Sequence, residues 1–305
     1  MLEARAGLDA STYANQLLER GGAGQLLLDH GLAVPDAFTP SEHRKAVRLP
    51  QRDIVRLEAV AESLIGPSDE AAGWLDAVRN RLRTEVKSGA VAVKAITAYR
   101  ASLRLTRPEM RDVAAAYGRL RVRAREGEAV RVGGDALCHA LLWAAAEECR
   151  ALGVPLQLHT GFGDPDEDLA EASPLGLRPL LREERLRGLR VVLLHTYPYH
   201  REAAYLCSVY PDVYMDLSLA IPLAADDGAR ALAEALGLCP WTKLLYATDA
   251  SRLPELYFVA GVLHRQALAG ALGNLVGDGT LTIPQADEAG RLVLAGNARR
   301  IYRLD

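Results

Sequence analysis

The sequence predicts an α/β chain folded as a (β/α)8 TIM-like barrel, lacking or altered at one strand, and three observations carry that expectation. Short apolar runs alternate with longer stretches of helical period, the sign of parallel βα units. Several of the runs are almost uninterruptedly apolar, as strands covered on both faces are. A polar or ionisable group recurs near the C-terminal end of one strand after another, the rim where barrel enzymes do their chemistry. The rival fold, an open doubly wound sheet of the dinucleotide type, should carry a glycine-rich turn after its first strand. Neither GxGxxG nor GxxxxGK[ST] occurs at any strand-to-helix turn here.

In chain order, a helix is expected from about Ser11 to Arg20, then strands at 24–31 (GQLLLDHG), 53–60 (DIVRLEAV) and 91–99 (VAVKAITAY). Pro108 opens a helix through MRDVAAAYGRLRVRAREGE. Asp135 can cap ALCHALLWAAAEECRALG, which stops at Gly153 with Pro155 beyond. Further strands follow at 155–161 (PLQLHTG), 190–197 (RVVLLHTY), 212–219 (DVYMDLSL) and 243–250 (KLLYATDA), and a helix runs from about Pro284 to Tyr302. No Pro/Ser/Gly linker, charge block or short repeat divides the chain, so a single domain over 1–305 is expected.

Half of the 305 residues are hydrophobic, enough to bury one sizeable core. Thirty-six Lys and Arg against 39 Asp and Glu give a net charge of -3, which supplies no cationic field to gather nucleic acid or an anionic membrane. The expected partner is a small-molecule substrate, with a homo-oligomer left open. Cys138, Cys149, Cys207 and Cys239 stand far apart without a CxxC pair and read as reduced, mostly buried thiols. No run of 18 apolar residues occurs, and Glu3, Arg5 and Asp9 stand where a signal peptide needs an apolar stretch, so a cytoplasmic location is expected.

The polar ring comprises Asp29 and His30, Glu58, Lys94, His159, His195, Asp216 and Asp249. His159, His195 and Asp249 are the sharpest members, each following three to five apolar strand residues at the point where the chain leaves the barrel wall. All three should therefore converge on one mouth. Imidazole and carboxylate donors suit a divalent metal, zinc first and manganese second, which acidifies water and polarises a carbonyl. For any one of them alone the plainer reading is a helix cap or a core hydrogen bond; three such coincidences on three strands are a poorer explanation. Tyr99 and Arg100, Tyr197 and Tyr199, and Arg252 and Glu255 fall on rim loops where substrate is gripped, an arginine there suiting a substrate carboxylate. The acidic run Asp164, Asp166, Glu167 and Asp168 could recruit a cation or position an amine, but the plainer reading is a solvated loop. His30, His43, His139, His200 and His264 read as structural or solvated, and Trp143 as helix core.

The strings VKAITAYR, LQLHTGFGDPDEDL, VVLLHTYPYHREAAYL, VYMDLSL, KLLYATDASRLPELY and NARRIYRL closely resemble the amidohydrolase-related metal-dependent TIM-barrel hydrolases. Within them they are most similar to the FluG-like branch, which also occurs fused ahead of glutamine-synthetase-like domains. The resemblance spans about residues 10 to 303. It implies a mononuclear or binuclear metal site and hydrolysis of C–N bonds, with decarboxylation known in sister groups. By the same resemblance His159 is the strand-5 metal ligand, and His195 the strand-6 histidine that binds metal or polarises substrate. Asp249 is the strand-8 aspartate that contacts metal and takes a proton from water. Lys94 lies on the strand that carries a carboxylated lysine in some relatives; its imperfect position makes it a substrate contact or nearby charge here, or else a lysine paired with Glu58 or Asp216.

The family's first strand ends in a His-x-His pair, and no HxH occurs in these 305 residues. Asp29–His30 is no substitute, because adjacent strand residues point to opposite faces. The expectation is therefore weak metal occupancy and little activity unless an upstream strand restores the pair. Two alternatives to an amide hydrolase stay open: a catalytically silent scaffold, and a metal-dependent decarboxylase of an unsaturated or aromatic acid.

Overall fold

Six strands pair in parallel and strictly in sequence order: β1 Leu26–Asp29, β2 Gln51–Arg56, β3 Ala92–Ala95, β4 Leu156–Thr160, β5 Val191–His195 and β6 Val213–Met215. The structure, a computed structural model, describes residues 7–32, 38–224 and 226–304. The seventh expected strand, 243–250, contributes only a parallel bridge between Met215 and Leu244. Two backbone bonds hold it, Met215 N–H to Lys243 O at 3.1 Å and Leu245 N–H to Met215 O at 2.9 Å. Among the described residues the sheet is thus open, with the strand order of a barrel and without its closure.

Several expected strands are shorter than the apolar runs that announced them. The run 53–60 stops at Arg56, and Leu57–Ser63 is a helix whose buried Leu57, Glu58 and Ala61 follow helical spacing. Glu58 consequently sits in a first helical turn instead of at a strand end. The run 91–99 stops at Ala95 and turns through a 3-10 helix at Thr97–Tyr99, because Glu58 Oε1 captures the Ile96 N–H at 2.9 Å. The run 212–219 stops at Met215, where Asp216 Oδ1 collects the N–H groups of His195 and Ser218 at 2.8 and 3.0 Å.

The helices sit close to their expected limits. Asp9 caps Ala10–Arg20 by accepting from Thr12 N–H. The helix expected after Pro108 is Met110–Arg125. Asp135–Leu152 begins at its own aspartate, whose carboxylate takes the Ser102 N–H at 3.1 Å, while Gly134 holds the cap position. Gly153 ends that helix at φ +66°, the left-handed conformation glycine adopts without strain. The last expected helix is Ile283–Arg291 and Asn297–Tyr302, joined by a π-helical turn at Leu292–Gly296. No described helix is long and apolar enough to cross a membrane.

Strand alternation divides the core into two faces. On one, Val55, Val93, Leu156, Leu158, Val191, Leu193, Val213 and Met215 are buried in one cluster with Trp74, Val78 and Leu82 of the Ala71–Lys87 helix and Leu141 and Leu142 of Asp135–Leu152. On the other, Ile54, Ala92, Val192, Leu194, Tyr214 and Leu245 pack with Ile301 and Tyr302 of the last helix, and Leu27 joins them. Gln157 Nε2 donates to the Tyr302 hydroxyl at 2.7 Å. That inner face has a floor, and the site lies above it.

Candidate active site

Two residues beyond Leu27, Ile54, Ala92 and Gln157, one strand period further on, stand Asp29, Arg56, Lys94 and His159. The same alternation that floors the inner face therefore puts charge at its mouth. Asp29 Oδ2 accepts from Arg56 Nε at 2.9 Å and Nη2 at 2.5 Å, while its Oδ1 accepts the Gly31 N–H at 2.8 Å. Lys94 Nζ lies 3.5 Å from Asp29 Oδ2 and 3.9 Å from Asp249 Oδ1. Its acidic neighbours are thus Asp29 and Asp249, in place of the Glu58 or Asp216 that sequence reasoning offered. His30 faces away, with Nε2 3.5 Å from Asp53 and its ring 6.1 Å from His43.

His159 and His195 meet with ring centroids 4.6 Å apart, and Tyr99 lies over His159 at 4.3 Å. By alternation His195 should face the outer helices, since Val192 and Leu194 belong to the inner face. Its φ of +70°, followed by +56° at Thr196, breaks the alternation and swings the imidazole to the mouth. A non-glycine residue resists this region of φ/ψ space. The strain is offset by the His195 N–H bond to Asp216 and by Thr196 Oγ1 donating to Asp216 O at 2.8 Å. His195 Nε2 then stands 3.9 Å from Asp249 Oδ2. Burial, helped by the charges of His159 and Lys94, holds His195 well below the usual histidine range, so the ring is neutral. Asp249, itself at φ +51°, has its carboxyl raised by burial, an effect opposed by Lys94 and His159.

The acidic run after His159 is not uniformly solvated. Asp164, Asp166 and Asp168 are exposed, but the Glu167 side chain is 2 % exposed and its two oxygens stand 3.2 and 3.3 Å from His159 Nε2. The loop can enter because Gly161 (φ +74°) passes against the Tyr197 carbonyl and Gly163 against the Tyr99 hydroxyl, where a Cβ would overlap. Burial raises the Tyr99 hydroxyl, which accepts the Asp164 N–H at 3.3 Å.

Three other rim residues lie elsewhere. Arg100 is held by Glu62 at 3.3 Å and the Val132 carbonyl at 3.4 Å. Tyr197 donates to Asp227 and stacks on His200, 5.9 Å between centroids. Arg252 is exposed at φ +65° on the loop beyond Asp249. The structure thus brings together His159, His195, Asp249, Lys94 and Tyr99 with Asp29, which the sequence already placed in the polar ring, and adds Arg56 and Glu167, whose roles sequence reasoning missed. For Arg56 the available signal was the two-residue step from Ile54.

Among the described residues no three His, Cys, Asp or Glu side chains are gathered closely enough to hold one ion together. Glu167 engages His159, and Lys94 stands between two of the carboxylates. The donor chemistry nevertheless fits a divalent cation: a neutral imidazole on His195, a second imidazole on His159 beside it, and a carboxylate on Asp249 facing the first of them.

Comparison with known proteins bears on the family and the fold. The sequence pattern of the amidohydrolase family matches residues 32–304. Protein fluG of Emericella nidulans is 31% identical over 311 residues, covering 93% of this chain; the chain spans 36% of that protein's length. A candidate metal-dependent hydrolase of Lactobacillus casei ATCC 334 superposes with TM-score 0.89 at 33% identity, over 96% of this chain and 76% of that one. The uronate isomerase of Thermotoga maritima superposes with TM-score 0.68 at 16% identity, over 94% and 69% of the two chains, and shares the fold. With the family pattern running from just beyond β1 through the last helix, the chain belongs to the amidohydrolase family.

Proposed function

We infer that the protein hydrolyses a C–N bond of amide type in a small molecule, with a divalent metal at the mouth of the sheet and water as the nucleophile. The observation that supports this reading best is the facing pair of His195 Nε2 and Asp249 Oδ2, 3.9 Å apart, with the imidazole neutral. His195, Asp249 and His159 are the residues that would hold the ion, zinc first and manganese second. When bound, such an ion supplies Lewis-acid activation of the water and of the scissile carbonyl.

The chain's own groups do the rest. Asp249 accepts a proton from the attacking water and returns it to the leaving amine, the role of a carboxylate within reach of both. Lys94, 3.9 Å away, favours the ionised form of Asp249 that this step needs. Lys94 and Tyr99 border the space where substrate would lie, whereas Arg100 and Tyr197 are engaged by Glu62 and Asp227. A cytoplasmic setting and a partner set of small molecules, without nucleic acid or membrane, complete the reading.

The test loads purified protein with zinc or manganese and runs a panel of acyl and glutamyl amides. Slow turnover by the wild type, lost in Asp249→Asn and His195→Asn, is the expected result. Failure of the wild type to bind either ion, or full turnover by Asp249→Asn, would overturn the reading.

A further inference from the structure

His195 is fixed from behind by two side chains that the proposed reaction does not use. Its Nδ1 lies 2.7 Å from Ser218 Oγ, and Ser218 Oγ lies 2.7 Å from Asp216 Oδ1. That same carboxylate oxygen accepts the backbone N–H groups of His195 and Ser218. All three side chains are buried, Ser218 at 1 % and Asp216 at 2 % exposure. The hydrogen-bond arithmetic of this chain has one solution. Asp216 Oδ1 already accepts two backbone N–H groups and is an acceptor here, so the single hydroxyl proton of Ser218 goes to it. Ser218 Oγ is then left with acceptor capacity alone toward His195, so Nδ1 must carry the imidazole proton. The other nitrogen, Nε2, is the one turned toward Asp249, and it is left with a bare lone pair.

We propose that Ser218 and Asp216 are positioning residues that lock His195 in its Nδ1–H tautomer and so present Nε2 as a ready donor to a divalent cation. The inference rests on the metal-dependent reading above, but the tautomer itself can be read without any metal. The relay also explains two local features. The sheet stops at Met215 so that Asp216 can turn its carboxylate back under β5, and the left-handed backbone at His195 is held by the same oxygen. Orientation and protonation are thereby set by one group, as outer hydrogen bonds to ligating histidines generally do.

The experiment compares wild type, Ser218→Ala and Ser218→Thr, the last keeping the hydroxyl. Long-range 15N correlation spectra of the metal-free proteins report which imidazole nitrogen of His195 carries the proton, with the resonance assigned by its loss in His195→Gln. Calorimetric titration with zinc alone gives the affinity, and circular dichroism checks the fold. The wild type and Ser218→Thr should show the Nδ1–H pattern. Ser218→Ala should lose that pattern and bind zinc about 10- to 100-fold more weakly. A folded Ser218→Ala that keeps the Nδ1–H pattern overturns the proposal, as does a folded Ser218→Thr that loses it. An Nδ1–H pattern that depends on Ser218, in a wild type that binds no zinc or manganese, supports the relay and instead sinks the metal-dependent reading.

Discussion

The inner face of the sheet has two layers written by the same strands, and they are held by opposite physics. The lower layer, Leu27, Ile54, Ala92, Val192, Tyr214 and Leu245, is closed off by Ile301 and Tyr302 and owes its stability to apolar burial. The upper layer, two residues further on, is Asp29, Arg56, Lys94 and His159, joined by His195, Glu167 and Asp249. Charges half-withdrawn from water are costly unless paired, and removing one member of a buried pair typically costs about 3–5 kcal/mol. The upper layer meets that cost by mutual pairing: Arg56 and Lys94 on Asp29, Lys94 again beside Asp249, and Glu167 on His159. The difference teaches that stability and chemistry are separated here by a single strand period of about 7 Å.

Substitutions that divide the two layers are the sharpest way to break that separation. Asp249→Asn should lower kcat by roughly two to four orders of magnitude, the usual contribution of a general base, and leave the thermal midpoint nearly unmoved. Steady-state kinetics beside a melting curve checks both halves. Tyr302→Ala should do the reverse, destabilising the protein by about 3–5 kcal/mol as a large aromatic is lost from the floor, with little change in kcat of the folded enzyme. Urea unfolding gives the first number; comparable losses of kcat in both variants would show that the layers are not separable.

Glu58 offers an intermediate effect, visible only with pH. Burial raises its carboxyl to about 7, and Oε2 is buried without a hydrogen bond. Because the folded value lies above the unfolded one, the neutral form's stability is fully present below about pH 4.5 and is lost as pH rises through about 7. Glu58→Gln keeps an oxygen for the Ile96 N–H and should be more stable than wild type by up to roughly 3 kcal/mol at pH 8, with no gain below pH 4.5. Urea midpoints at pH 4 and pH 8 decide it. The smallest effect concerns Lys94. Since Asp249 must be ionised to act and its carboxyl is raised, activity should fall with falling pH at a point above the usual carboxylate range. Lys94→Gln should move that acid limb upward by about one pH unit, read from kcat profiles, because it removes the opposite charge that favours ionisation.

The parallel strand order and the place of His159 at the mouth were legible because apolar runs and their polar ends obey the two-residue period that the sequence displays directly. Strand ends were less so. Glu58 sits in an apolar alternation that reads equally well as strand, and only the burial of Leu57 and Ala61 at helical spacing resolves it. His195 was placed at the mouth for an incomplete reason: alternation alone turns it outward, and a left-handed backbone reverses it. Glu167 was hidden among exposed neighbours of identical charge, since composition cannot say which carboxylate a glycine-rich loop folds inward. Tyr197 and Arg100 show the converse, rim residues by position that local partners draw away.

The floor made by Ile301 and Tyr302 has a further consequence in the order of synthesis. Translation delivers every strand of the sheet long before residue 301, so the growing chain carries Ile54, Ala92, Val192, Leu194, Tyr214 and Leu245 without the helix that covers them. During that interval the nascent protein should display an adhesive apolar strip of the kind that recruits holding chaperones and invites aggregation. Ribosome-stalled chains halted before the last helix should bind a hydrophobic dye strongly, and chains long enough to release residue 304 from the exit tunnel should not. Equal dye binding at both lengths would mean that some earlier segment shields the strip.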